Sequence, residues 1–269
     1  MAWPLLARVL GRRQILGPST KSVLFLTGTS MLPSIGLQAG RLGLCRSIVP
    51  TVSTRCLVAA AFKPATDSEK EVAALIARSR AAQEQIAKYT QEQVDDLITA
   101  VVWSVCQDET AKMIAQHTVD ETRLGNYEGK FLKIHRKTRA ALMDIIDDKS
   151  VGVIEELPER NVVKIAKPVG VIGALSPSTN PEATPVIKAI SAIKGRNSIV
   201  IAPHPRAQKT NALICQHMRD ALVKMGAPAD LVIGVENPTV AKTVDLMKQA
   251  DRVLATGGPA MVTAASRFT

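Results

Sequence analysis

No aspartate or glutamate occurs in the first 66 residues; the first acid is Asp67. Eight bases lie in the same stretch: Arg8, Arg12, Arg13, Lys21, Arg41, Arg46, Arg55 and Lys63. The formal charge of +10 is therefore a property of the head, because the remainder carries 26 bases against 24 acids. A nucleic-acid partner is not expected, since that needs charge spread over a folded face with a supporting motif. Aromatic residues make up only 3%, so aliphatic side chains must build the core. Cysteines number four (Cys45, Cys56, Cys106, Cys215), with no C-x-x-C pair and no zinc-type spacing to His117, His135, His204 or His217. A reducing compartment and no metal follow as expectations. The uncharged run Ser22–Gly40 is interrupted by Pro33 and glycines, so no stable membrane span is expected. G-x-G-x-x-G is absent, and the usual dinucleotide fingerprint cannot be claimed.

What is present divides the chain into four parts. Residues 1–60 are arginine-rich, contain Ser and Thr, and lack acids, as transit peptides do. Extra upstream sequence from a misplaced start is the alternative. A mitochondrial or other organellar location would follow from the first reading. Residues 61–150 are helical. Thr66 with Glu69 and Thr90 with Gln93 read as capping boxes. The second precedes Val94, Leu97, Ile98, Val101, Val102 and Val105, a single buried stripe. Further helices are expected over Glu109–Thr122 and Lys130–Asp147, with Gly125 and Gly129 as breaks. Residues 151–168 alternate apolar and polar about a Pro-Glu-Arg-Asn turn, which predicts a β-hairpin.

From Val169 onward, apolar strands alternate with helices. The strands are 169–175, 198–203, 231–235 and 252–256, and the helices start near Pro181, Arg206 and Thr239. This pattern predicts an α/β fold with a Rossmann-like parallel sheet over residues 169–269. Ligands in such sheets sit at the carboxyl ends of the strands. Those ends carry Ser176, Pro177, Ser178, Thr179 and Asn180, then Pro203, His204, Pro205 and Arg206, then Glu236 and Asn237, then Gly257, Gly258 and Pro259.

Each candidate admits two readings. Asn180 precedes Pro181, which suits an ordinary N-cap; its amide could instead donate to a developing oxyanion. Gly257 and Gly258 form either a plain turn or a backbone cradle for pyrophosphate. His204 and Arg206 project from a proline-stiffened loop; Arg206 suits phosphate or is simply solvated. Cys106 and Cys215 fall in amphipathic helices, where cysteine is usually a small core residue.

Four segments together resemble the CoA-acylating aldehyde dehydrogenases: YTQEQVD (89–95), AKPVGVIGALSPSTNPEATP (166–185), IKGRNSIVIAPHPRA (193–207) and LATGGPAMV (254–262). The resemblance runs from about Ala65 to Val262. It implies the aldehyde dehydrogenase fold, a small aldehyde substrate, NAD or NADP as cofactor and CoA as co-substrate. Asn180 becomes the oxyanion donor, and Ser176–Thr179, Pro203–Arg206 and Gly257–Gly258 become cofactor lining. The hairpin resembles part of the family's oligomerisation element, so a homo-oligomer is expected of the full-length enzyme. The family's nucleophilic cysteine lies well beyond the ATGGP turn. The expectation is therefore a catalytic domain cut short and a chain inactive alone. The alternative is a non-catalytic nucleotide-binding or partner-binding protein on the same fold.

Overall fold

A computed structural model describes residues 65–268. The expected transit segment lies outside the described residues, as do Cys45 and Cys56. Four helices come first: α1 (Asp67–Ile86), α2 (Gln91–Cys106), α3 (Asp108–Thr122) and α4 (Tyr127–Ile145). Both capping boxes are present. Thr66 accepts from the Glu69 N–H while the Glu69 carboxylate accepts from the Thr66 N–H. Thr90 and Gln93 repeat the exchange. Each cap adds about 1 kcal/mol. The six stripe residues of α2 are all buried.

Gly129 is not a break. The α4 helix begins at Tyr127 and carries Gly129 in its first turn. Asn126 caps it, its Oδ1 accepting from the Gly129 N–H at 2.8 Å. A Cβ at position 129 would lie 2.6 Å from that oxygen, so glycine is what lets the cap close. Arg123, at φ 56°, ends α3 in the left-handed conformation, and Gly125, at φ +77°, completes the turn into α4.

Strands β1 (Gly152–Leu157) and β2 (Val162–Ala166) form the expected antiparallel hairpin. A 3-10 turn at Pro158–Arg160 joins them, and Asn161 takes the left-handed conformation at φ 50°. Val153, Ile154, Val162, Val163 and Ile165 are exposed on it.

The main sheet contains β3 (Val171–Ser176), β4 (Ser198–Pro203), β5 (Val232–Gly234) and β6 (Arg252–Ala255). All pairs are parallel, in the order β5-β4-β3-β6. The connecting helices are α5 (Thr184–Lys194), α6 (Gln208–Lys224) and α7 (Val240–Gln249), with α8 (Pro259–Ala265) after β6. The strands alternate cleanly. Ile172, Ala174, Ile199, Ile201 and Val232 face a core shared with α2 to α6. Val171, Leu175, Val200, Ala202 and Ile233 face Val72 and Ile76 of α1 and Leu246 and Met247 of α7. Each buried Val, Leu or Ile stabilises by about 1.5–3 kcal/mol relative to exposure. Gly173 lets α7 approach, because a Cβ there would sit 2.9 Å from the Ala250 methyl.

Several boundaries differ, three of them by two residues or more near the site. The β3 strand starts at Val171, because Gly170 sits at φ +121° ahead of it. The following helix starts at Thr184 rather than Pro181. The next starts at Gln208, after a 3-10 turn at Pro205–Ala207.

Candidate active site at the carboxyl end of the sheet

The chain lays down β3, then β4 and β5 to one side, then β6 on the other. Strand order thus reverses between β3 and β6, and crevices for ligands open at such points. Register brings three of the expected segments to one end. Ser176 pairs with Pro203 and Leu175 with Ala255. The His204 N–H donates to the Ser176 carbonyl at 3.0 Å, and the Thr256 N–H to the Leu175 carbonyl at 3.3 Å. Ser176 and Pro203 are buried; Pro177, Ser178 and Asn180 are half-buried; Thr179, His204, Pro205, Arg206, Gly257 and Gly258 are exposed.

Asn180 is not a helix cap. Its side chain lies too far before Thr184, and its Oδ1 accepts from the Lys133 ammonium at 3.0 Å. Its backbone carbonyl accepts from the Thr184 N–H. Lys130, one turn earlier on α4, donates to the Thr179 carbonyl at 2.8 Å and to Glu182 Oε2 at 3.0 Å. Lys130 and Glu182 are 2% and 0% exposed, so this ion pair is sealed from water. Glu182 Oε1 and Ser176 Oγ are buried with no protein partner.

Below the crevice, the Lys188 ammonium donates to the Leu175 and Leu254 carbonyls, both at 2.6 Å. It ties the ends of β3 and β6 together. Burial pushes this lysine down from the usual 10.5 to about 8. The folded state therefore holds its proton less tightly than the unfolded chain. Stability tied to this group rises as pH climbs from about 8 to 10.5 and is flat below that window. Urea unfolding of the native chain should show this rise relative to Lys188→Met; parallel curves for the two proteins would contradict it.

Arg206 donates to the Thr122 carbonyl at the end of α3 at 3.1 Å, and His204 Nδ1 accepts from the Arg206 N–H at 3.1 Å. Glu121 caps α6 from a distance, accepting from the Lys209 N–H, the Thr210 N–H and the Thr210 hydroxyl. Nothing lies within 4 Å of where a Cβ on Gly258 would sit, so its backbone is open to approach. Cys106 and Cys215 are buried, and burial pushes the Cys215 thiol up to about 12. A thiol held protonated in this way is no nucleophile near neutral pH.

The aldehyde dehydrogenase family model matches residues 55–264. The chain belongs to the aldehyde dehydrogenase family. A sulfoacetaldehyde dehydrogenase of Acholeplasma is 46% identical over 190 residues, covering 71% of this chain and 39% of the relative. An acetylating succinate-semialdehyde dehydrogenase of Clostridium kluyveri is 44% identical over 198 residues, covering 74% and 43%. The crystal structure of an acetylating aldehyde dehydrogenase from Geobacillus thermoglucosidasius superposes with a TM-score of 0.71 at 38% identity, covering 74% of this chain and 44% of that one. The chain thus spans about two fifths of the length of the curated relatives it matches. Among the described residues no helix is long and apolar enough to cross a membrane.

No motif in the sequence points to four charged residues packed at this end of the sheet: Lys130, Lys133, Glu182 and Lys188. Lys188 did carry a signal, since it falls among Val186, Ala189 and Ile190 on a helix with a continuous apolar face. Glu182 and Lys130 are 52 positions apart and leave no local trace.

Proposed function

We propose that residues 65–268 form the cofactor-binding part of an acylating aldehyde dehydrogenase. Such an enzyme oxidises a small aldehyde with NAD or NADP and delivers the acyl group to CoA. The observation that carries this is the meeting of Ser176–Asn180, Pro203–Arg206 and Gly257–Gly258 at one end of a sheet whose order reverses there. Its relatives include acylating enzymes, which supports the reaction class.

The nicotinamide cofactor, when bound, supplies the hydride acceptor. The open backbone at Gly258 and the partnerless Ser176 hydroxyl suit a polar, phosphate-bearing group. Pro203–Arg206 form the neighbouring wall. Asn180 directs its Nδ2 donors at the carbonyl oxygen of the aldehyde, where negative charge develops. One such donor contributes about 3–4 kcal/mol to a transition state. Neither described cysteine suits the nucleophile, which leaves that role outside the described residues. The exposed apolar residues of the β1–β2 hairpin support assembly into a homo-oligomer. The acid-free, arginine-rich head supports delivery to a mitochondrion or another organelle.

Calorimetric titration of the full chain with NADH and NADPH tests the cradle. We expect saturable heat with at least one of them, retained in Asn180→Ala and weakened at least tenfold in Gly258→Glu. No heat up to millimolar cofactor would overturn the proposal. A second reading, cofactor binding without catalysis, draws on the buried cysteines. It predicts the same heats but no acyl-CoA from aldehyde, NAD+ and CoA.

A further inference from the structure

We infer that Lys133 is the positioning residue for the Asn180 carboxamide. Its role in oxyanion stabilisation rests on the proposed function above; the contact itself does not.

A carboxamide end has two faces of opposite character. One atom accepts hydrogen bonds, the other donates two, and rotation by half a turn exchanges them. An oxyanion donor works only in one of these orientations. An ammonium carries donors and no acceptor. The Asn180 atom facing Lys133 Nζ at 3.0 Å must therefore be the oxygen. Nδ2 then points away from α4, and no described residue accepts from it. Lys133 thus removes the orientational ambiguity that a lone asparagine on a loop would keep.

Two further observations make this more than a chance surface contact. Lys130 lies one turn earlier on the same helix and holds the Thr179 carbonyl and Glu182 on either side of Asn180. The loop is thus gripped by one helix face at 179, 180 and 182. The charges also differ. Glu182 neutralises Lys130, whereas no carboxylate among the described residues lies within ion-pair distance of Lys133. Its positive charge therefore faces the carboxamide without an ion-pair partner to neutralise it. Drawing electron density toward Oδ1 strengthens the Nδ2 donors, as hydrogen-bonded chains polarise one another.

The test is nuclear magnetic resonance of the full chain labelled with 15N asparagine, the Asn180 signals being identified by their loss in Asn180→Ala. In Lys133→Met, both Asn180 side-chain N–H signals should move and exchange with water several-fold faster. In Lys133→Arg, which keeps a cationic donor, they should stay near their native positions. Unchanged Asn180 signals in Lys133→Met, or equal displacement in both variants, would overturn the inference. Should Lys133→Met fail to fold, the native chain answers by itself. The Lys133 ammonium should show Overhauser contacts to the Asn180 side chain, and their absence would equally overturn the inference. NADH titration of the same samples separates the two claims. Silent titrations with displaced Asn180 signals sink the cofactor proposal alone; normal titrations with undisturbed signals sink this one alone.

Discussion

Replacing Lys130 with methionine should lower the unfolding free energy by about 3–5 kcal/mol, the usual result of leaving one member of a buried ion pair alone. The reason is the sealing of the pair. Glu182 is 0% exposed, and Lys130 Nζ is the single partner its carboxylate has. Without that ammonium, Glu182 must stay charged and unpaired, take up a proton, or drag its loop into water. The Thr179 carbonyl loses its donor in the same step. The melting temperature should fall by on the order of 10 °C for a domain of this size. Glu182→Leu added to Lys130→Met should restore most of the loss, because an apolar pair of similar volume often matches a buried ion pair. Urea unfolding of the single and double variants measures both terms. A loss under about 1 kcal/mol, or a double variant no better than the single, would refute the description of this pair as sealed.

Gly170→Ala should cost about 2.5–6 kcal/mol by two routes. A side chain at φ +121° is strained by roughly 1–3 kcal/mol in any surroundings. The added Cβ would also stand 2.1 Å from Asp251 Oδ2, which must then move. That oxygen accepts from the Val171 N–H at 2.7 Å and pairs with Arg80 at 2.9 Å. Losing a hydrogen bond to a charged group costs about 1.5–3 kcal/mol. Asp251→Ala separates the routes. In that background Gly170→Ala should cost only the backbone strain, a less-than-additive result. Strict additivity would mean that the two residues do not collide.

The parts of this fold that depend on neighbours in sequence were readable. Thr66 and Glu69 cap α1 because both partners lie within four residues. The apolar stripe of α2 and the continuous strands β3 and β4 announce themselves by period. Loops were harder. Pro181 and Pro185 both suit the first turn of a helix, and the chain uses Pro185. Glu182 is then free to turn inward to Lys130. Gly129 looked like a break because glycine usually is one; here it makes room for an Asn126 cap. The site was legible only as backbone. Its strand ends and Asn180 could be named from the sequence, whereas Lys133 and the carbonyl partners of Lys188 could not. The partners of these two lysines sit 47 and 66 positions away in the chain, beyond the reach of any local pattern.

The last turn of α3 and the segment that enters α6 hold each other in a reciprocal grip. Glu121 fills the amide end of α6, while Arg206 returns to the carbonyl end of α3. The rim at the end of β4 is consequently tied to α3 from both sides. A ligand docking against it has little left to organise, so more of each contact survives as net affinity. Loosening either half of the grip should show first as faster ligand departure, with no contact to the ligand removed.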